Sequence, residues 1–471
     1  MIELDHANLL ADLVGPGHGL TRAEIDRHAP AAAAALSSFR QKSETGLVGF
    51  PHLPFQKKVI AELRAFAARS AGRFDTVCLI GIGGSALGAW AIDCALRGPH
   101  PVQRKFSASN PRLVVLDNVD PALVSAALQS MNPRRTLALV ITKSGSTAET
   151  LATWLLVRAW LEKAVGRRNL SRHTVAVTDP DSGDLLEMAR RERYPCFFIP
   201  KNVGGRFSVL SPAGLLPAAL LGVDIRRLCA GAADATRLCW KTSLDENSAL
   251  LAALLHWLLL ERRAKSIHVA FSYSSLLWGA AFWFRQLWAE SLGKRASRNG
   301  VEVALGQTPV AALGVTDQHS QVQLYLDGPN DKVFTFWAVA PSKKKLRIPR
   351  AFADLDSAGY LAGQTLDALF DAERRATAAA LARHQRPNCT LTIPRIDAYQ
   401  LGALFQWLEF HAAFMGELLG VNAFDQPGVE LGKRLTYALM GRAGFDDYRR
   451  QFDDYQESRR RAAGIPSEDG P

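Results

Sequence analysis

The stretch Thr76-Val77-Cys78-Leu79-Ile80-Gly81-Ile82-Gly83-Gly84-Ser85-Ala86-Leu87-Gly88 decides the fold class. An apolar, β-branched run of strand length ends in glycines and passes into a helical pattern, as happens where a parallel strand hands over to its crossover helix. Residues 113–116, 137–141 and 174–177 repeat the theme downstream. Strands this apolar are buried on both faces, the mark of a parallel sheet covered by helices. A Leu-rich helical stretch over 247–263 leads to further runs at 267–271, 333–337 and 391–393. The sequence therefore predicts an α/β fold with two αβα domains and mainly parallel sheets.

Outward from these runs the texture is helical. The first forty-odd residues are Ala-rich and polar, read as helical packing segments, and show no strand pattern. After Pro394, the spacing of Leu401, Leu404, Phe405, Leu408 and Met415 predicts an amphipathic helix. The tail Ser467-Glu468-Asp469-Gly470, between Pro466 and Pro471, has little to bury and is expected to fray. The expected organisation is a helical segment over 1–45, a first αβα domain over 46–225, a second over 226–400, and a helical segment with the tail over 401–471.

Composition narrows the class. The chain has 471 residues, 48% hydrophobic and 21% charged, with 10 Trp and 22 Phe, enough to fill sizeable cores. The net charge of +11 points to acidic partners. Its basic residues are scattered, though, and the runs Lys343-Lys344-Lys345 with Arg347 and Arg350, and Arg459-Arg460-Arg461, accompany no nucleic-acid-binding motif. A small anionic metabolite fits at least as well, and no nucleic acid is expected. Six cysteines form no Cys-x-x-Cys pair or metal knuckle, so reduced thiols are expected and no metal or other cofactor. The start carries neither the basic nor the apolar region of a signal peptide, and no apolar run spans a bilayer, so the expected place is the cytoplasm, with no membrane partner.

The glycine-rich turn at 81–88 fits neither of two familiar motifs. A dinucleotide fingerprint needs glycine at 86, which is Ala, and a nucleophile elbow needs it at 87, which is Leu. What remains is a strand-to-helix turn whose backbone N–H groups and Ser85 can meet a phosphate. The segment Thr142-Lys143-Ser144-Gly145-Ser146-Thr147 puts four hydroxyls and an amine at another helix start. A capping box at Ser146 and Glu149 is the plainer reading there, but it uses a single hydroxyl.

Arg206, among glycines in Val203-Gly204-Gly205-Arg206-Phe207-Ser208, is a surface charge or a guanidinium aimed into a cleft, where a fixed cation can hold an oxyanion. In the mostly apolar helix over 276–294, Gln286 and Glu290 share a face and Gly293 is placed to end it. Two readings of Glu290 stand side by side. In an apolar surround, at the negative end of the helix dipole, it has the raised proton affinity of a general base. Alternatively it makes an ordinary i,i+4 surface pair with Lys294. His319, in the polar block over 316–321, is structural or a proton relay, and Lys433 follows Gln426 in a helix entry over 424–433.

In this order, the segments GIGGSALG, TKSGSTAET, VGGRFS, RQLWAESLGK, TDQHSQVQ and FDQPGVELGK resemble the glucose-6-phosphate isomerase (phosphoglucose isomerase) family. The loop TKSGST and Leu292 depart from the family's more usual forms. The resemblance implies two sugar-isomerase-type domains and metal-independent interconversion of glucose 6-phosphate and fructose 6-phosphate. It also implies a homodimer with an active site shared between subunits. By position, Gly84, Ser85, Thr142, Lys143, Ser144 and Thr147 match the phosphate site, and Gln286 and Gln426 match substrate contacts. Glu290 matches the base working through a cis-enediol, Arg206 the residue stabilising the enediolate, and His319 and Lys433 the groups assisting ring opening, the histidine coming from the neighbouring subunit. A non-catalytic sugar-phosphate-binding regulatory protein on the same fold is the alternative.

Overall fold

A computed structural model describes residues 2–99, 106–341 and 345–465. The expected fraying of the tail, and the placement of Lys343 and Lys344, lie outside the described residues.

Two five-stranded sheets carry the fold. In chain order the strands are β1 Glu3–Asp5, β2 Thr76–Ile80, β3 Arg112–Leu116, β4 Thr136–Ile141, β5 Thr174–Thr178, β6 Cys196–Phe198, β7 Ile267–Ser272, β8 Lys294–Ala296, β9 Glu302–Leu305, β10 Thr308–Leu313, β11 Lys332–Val339 and β12 Asn388–Ile393. The first sheet runs β3-β2-β4-β5-β6 and is parallel throughout. The second runs β1-β12-β11-β7-β10 and is parallel except at β1. β8 and β9 form a separate antiparallel hairpin.

The strands show why apolar runs were needed. Alternate side chains of one strand enter different cores, because successive residues point to opposite faces. From the first sheet, Val77, Leu79, Leu137, Leu139 and Val175 join one core, while Cys78, Ile80, Ala138, Val140 and Ala176 join another with Trp154 and Leu161 of the outer helices. From the second sheet, Val333, Trp337 and Leu391 join that same first core, while Val269, Phe271, Phe334 and Phe336 face the opposite side. The inner faces of both sheets therefore share one continuous core.

The helix Ala398–Leu418 runs through that core. Residues 400–417 are buried all round, so the expected amphipathic face is replaced by burial on every side. Polar faces are dispensable here because the helices Arg22–Glu44, Ile225–Cys239, Ser248–Arg263 and Trp278–Leu292 all pack against it. One crossing is close enough to exclude side chains: a Cβ on Gly231 would lie 1.7 Å from the Tyr399 carbonyl oxygen, and one on Gly402 would lie 1.8 Å from that of Leu228.

Five strand segments depart from expectation. β1 lies in the N-terminal stretch read as wholly helical, pairing antiparallel with β12 through Leu4 and Leu391. Its three residues are too few and too polar to show a pattern, so the edge of the second sheet dictates the pairing. β6, β10 and the β8–β9 hairpin were not expected either; β6 and β10 are edge strands, and β6 has only three residues. The six cysteines are free thiols, five of them buried. Among the described residues no helix is long and apolar enough to cross a membrane.

Candidate functional site

The site forms where the end of β2, the loop carrying Arg206 and the last turn of the Trp278–Leu292 helix converge. Its closeness depends on two glycines. Gly83 has φ +58°, a left-handed conformation that favours glycine, and a Cβ there would lie 2.7 Å from the Gln286 amide nitrogen. A Cβ on Gly84 would lie 2.0 Å from the Gly205 carbonyl oxygen. The backbones of the two glycine-rich loops thus touch, directly beside Arg206.

Glu290 is bracketed by polar groups. Gln286 Nε2 donates to its Oε1 at 2.9 Å, and Arg206 Nη1 donates to its Oε2 at 3.2 Å. The expected apolar surround is therefore absent around the carboxylate, although Trp283, Leu287 and Trp288 of the same helix are buried. The expected surface pair with Lys294 is also absent. Lys294 Nζ instead donates to the backbone carbonyl of Glu290 at 2.7 Å, to the carbonyl of Asp425, and pairs with Asp425 Oδ1 at 3.1 Å. Gln286 Oε1 is buried with no hydrogen-bond partner among the described residues, leaving an acceptor for a hydroxyl group.

Arg206 is only 2% exposed, and each of its five N–H donors has an acceptor. Nε donates to Ser291 Oγ at 2.8 Å; Nη1 to Glu290 and, at 3.0 Å, to Gln426 Oε1; Nη2 to the carbonyls of Ala423 and Asp425. Burial pushes its proton affinity down, and the Glu290 carboxylate pulls it back up. It is a cleft arginine, not a surface charge.

The ends of β2 and β4 form the second part of the site. A Cβ on Gly81 would lie 2.8 Å from the Ile141 carbonyl and 3.0 Å from Ser85 Cβ, so Ser85 stands beside the loop that follows β4. In that loop Thr142 Oγ1 and Thr147 Oγ1 share a hydrogen bond of 2.8 Å, and Ser144 Oγ lies 3.3 Å from Thr147 Oγ1. Thr147 is the N-cap residue of the helix Ala148–Val165, yet its hydroxyl makes no cap bond. The expected capping box does not form, because these hydroxyls face one another. The amide N–H groups of Gly83, Gly84, Lys143 and Ser144 find no acceptor among the described residues. Free amides and hydroxyls at the carboxyl ends of parallel strands suit an anion. The Lys143 amine is turned away, donating to the Lys201 carbonyl at 2.7 Å.

Two expected residues are not brought to Glu290 within this chain. His319 is exposed at the end of the turn Thr316–His319, beyond the edge strand β10, and its ring makes no hydrogen bond among the described residues. Lys433 is exposed and paired with Glu430 at 2.9 Å. Around it, the helices Glu430–Leu439 and Asp446–Ala462 bury only Ala438 and expose Leu431, Leu439, Met440 and Tyr455.

Ser291, Lys294 and Asp425 belong to the site although no role in it was expected of them. Ser291 and Asp425 each adjoin a candidate residue, and that adjacency was the only sequence signal. Among the described residues no group of three His, Cys, Asp or Glu side chains is placed to hold a metal ion. What the arrangement offers is an anion cradle, a carboxylate with a fixed cation beside it, and an unpaired amide oxygen.

The family model described as Phosphoglucose isomerase matches residues 55–458. A glucose-6-phosphate isomerase from Carboxydothermus hydrogenoformans is 46% identical over 434 residues, spanning 92% of this chain and 93% of that protein. Among solved structures, a hypothetical protein from Thermus thermophilus aligns with TM-score 0.83 at 39% identity, over 94% of this chain and all of the other. A glucose-6-phosphate isomerase from Chlamydia trachomatis aligns with TM-score 0.74 at 26% identity, over 85% of this chain and 76% of that one.

Proposed function

The chain belongs to the phosphoglucose isomerase family, and from that premise we infer that it interconverts glucose 6-phosphate and fructose 6-phosphate at the Glu290 site. The observation that carries the reading is the Glu290 carboxylate held between Gln286 and Arg206, beside the glycine loops.

In the proposed mechanism the phosphate sits on Ser85, Thr142, Ser144 and Thr147 and on the free backbone amides of Gly84 and Lys143. Anchoring that remote dianion orients the sugar carbons against Glu290, so binding energy serves the reaction. Glu290 takes the proton from C2 of the open-chain aldose and returns it to C1 through a cis-enediol, while the hydroxyl proton passes from O2 to O1. Arg206 Nη1, the arm facing Glu290 and Gln426, shifts a donor to the enediolate oxygen as charge develops. The orphan Gln286 Oε1 accepts a sugar hydroxyl, and Gln426 closes the other side.

Ring opening is assigned to Lys433 and to His319 of a second subunit. The position of His319 away from Glu290 within one chain, and the apolar side chains exposed on the two C-terminal helices, support a homodimer with a shared site. The substrate would lie between domains spanning 46–225 and 226–400, with 1–45 and 401–471 packed around them. A cytoplasmic location fits such a metabolic role.

The deciding experiment is a coupled isomerase assay with a chelator present. Fructose 6-phosphate formation is expected; binding of glucose 6-phosphate without turnover would instead favour the regulatory reading. For the shared site, an inactive His319→Ala variant mixed with an inactive Glu290→Gln variant, under subunit exchange, should regain part of the activity. A mixture that stays inactive would count against a shared site.

A further inference from the structure

We propose that Lys294 is a positioning residue, which clamps the backbone turn carrying Gln426 onto the last turn of the base-bearing helix and so fixes the gap in which Glu290 and Arg206 act. The proposal rests on the isomerase reading and deepens it.

Lys294 follows Gly293, the residue that caps the Trp278–Leu292 helix, and opens β8. Its side chain is only 4% exposed. A lysine buried to this degree must satisfy all three donors, since an unpaired buried ammonium is costly. The acceptors come from both sides of the site: the Glu290 carbonyl on the helix, and the carbonyl and carboxylate of Asp425 on the turn. Asp425 is held in turn by Asn422 Nδ2, which donates to its Oδ2 at 2.8 Å.

The division of labour between the two buried cations is the core of the inference. The Asp425 carbonyl accepts from Lys294 and also from Arg206 Nη2 at 2.9 Å. Every donor of Arg206 is engaged, so the arm needed by an oxyanion has to leave Glu290 or Gln426 when charge develops. That exchange costs little only if the turn stays in place while Arg206 regroups. Lys294 supplies the second hold on the same carbonyl, and a charge on the helix terminus where a cation is favoured. Without it, Gln426 and the Glu290 backbone lose their common anchor.

The test uses Lys294→Met, with kinetics and amide hydrogen exchange on the full-length protein. Because the phosphate cradle is built from other loops, kcat should fall about tenfold or more while inhibition by inorganic phosphate stays within about threefold of the parent. Exchange should accelerate over 422–428 and stay unchanged over 142–147. A kcat within about threefold of the parent, or phosphate inhibition lost in step with kcat, overturns the proposal. If the parent protein shows no isomerisation, the functional reading fails, while the exchange measurement still decides whether the clamp exists. Should Lys294→Met not fold, Asp425→Asn replaces it, since that side chain is half exposed. A smaller fall in kcat with faster exchange at the turn supports the clamp, and parent-like values in both refute it.

Discussion

Arg206 Nη1 lies 3.2 Å from Glu290 Oε2, joining two residues 84 positions apart in the chain. Four further hydrogen bonds to Ser291, Gln426 and the backbone at Ala423 and Asp425 hold the guanidinium beside it. The carboxylate is therefore held at a set distance from a permanent charge, an arrangement prepared before substrate arrives.

Replacing Glu290 by Gln keeps an acceptor for Arg206 and removes the proposed base. Turnover should fall by about 10²- to 10⁴-fold with the fold intact. Steady-state kinetics with a melting curve check this; turnover within a few-fold of the parent would exclude Glu290 as the base.

Gly84→Ala forces a methyl to 2.0 Å from the Gly205 carbonyl, so one of the two touching loops must move. Overpacking of this kind costs about 1–3 kcal/mol. Because both the cradle and Arg206 adjoin the contact, KM should rise and kcat fall together, with a lower melting temperature. Parent-like kinetics would show that the loops yield freely.

Thr142→Ala with Thr147→Ala removes two cradle hydroxyls. A hydrogen bond to a charged group contributes about 1.5–3 kcal/mol, so inhibition by inorganic phosphate should weaken by at least about tenfold. The Glu290 geometry is untouched, but with the phosphate less firmly oriented KM should rise and kcat should fall as well. Loss of kcat with unaltered phosphate inhibition would move the phosphate elsewhere.

Stability should fall on mild acidification. His256, His268 and His411 are fully buried around Trp288, and burial lowers the proton affinity of each, His256 to about 4. The unfolded chain, with histidines near 6.5, binds more protons than the folded one, so their stabilisation is complete above 6.5 and is lost as pH falls toward 4. For His256 alone the difference is about 3 kcal/mol. Glu409 acts oppositely, since burial raises its affinity above the usual 4.5, but it offsets one group against three. Chemical denaturation at about pH 7.5 and about pH 5.5, on either side of the unfolded histidine value, measures the outcome; equal stability would mean that the histidines open to solvent.

β2 spans the predicted residues, and β4, β5 and β7 agree to within a residue at their ends, because doubly covered strands must be apolar throughout. β3 agrees equally well although it is a half-buried edge strand, because its Leu113-Val114-Val115-Leu116 run is apolar all the same. β10 was missed for the converse reason: Pro309 interrupts it, and an edge strand tolerates a residue without an N–H. In the site, Glu290, Gln286 and Arg206 were legible as polar side chains placed where the local pattern is apolar or glycine-rich. The part played by Lys294 was not, because its partners on Asp425 are 131 positions away and only folding supplies them. The His256, His268 and His411 cluster was invisible likewise, each histidine arriving on a different element.

The hydroxyls of Thr142, Ser144 and Thr147 bond to one another. The hydroxyls are therefore satisfied when no anion is bound, while the amides of Gly83, Gly84, Lys143 and Ser144 stand without an acceptor among the described residues. Arrival has the matching cost of breaking those internal bonds. Inorganic phosphate sets only its bonds to the cradle against this cost, whereas a phosphorylated sugar adds its hydroxyl contacts. At the proposed phosphate site, a phosphorylated sugar should therefore bind in preference to the free ion.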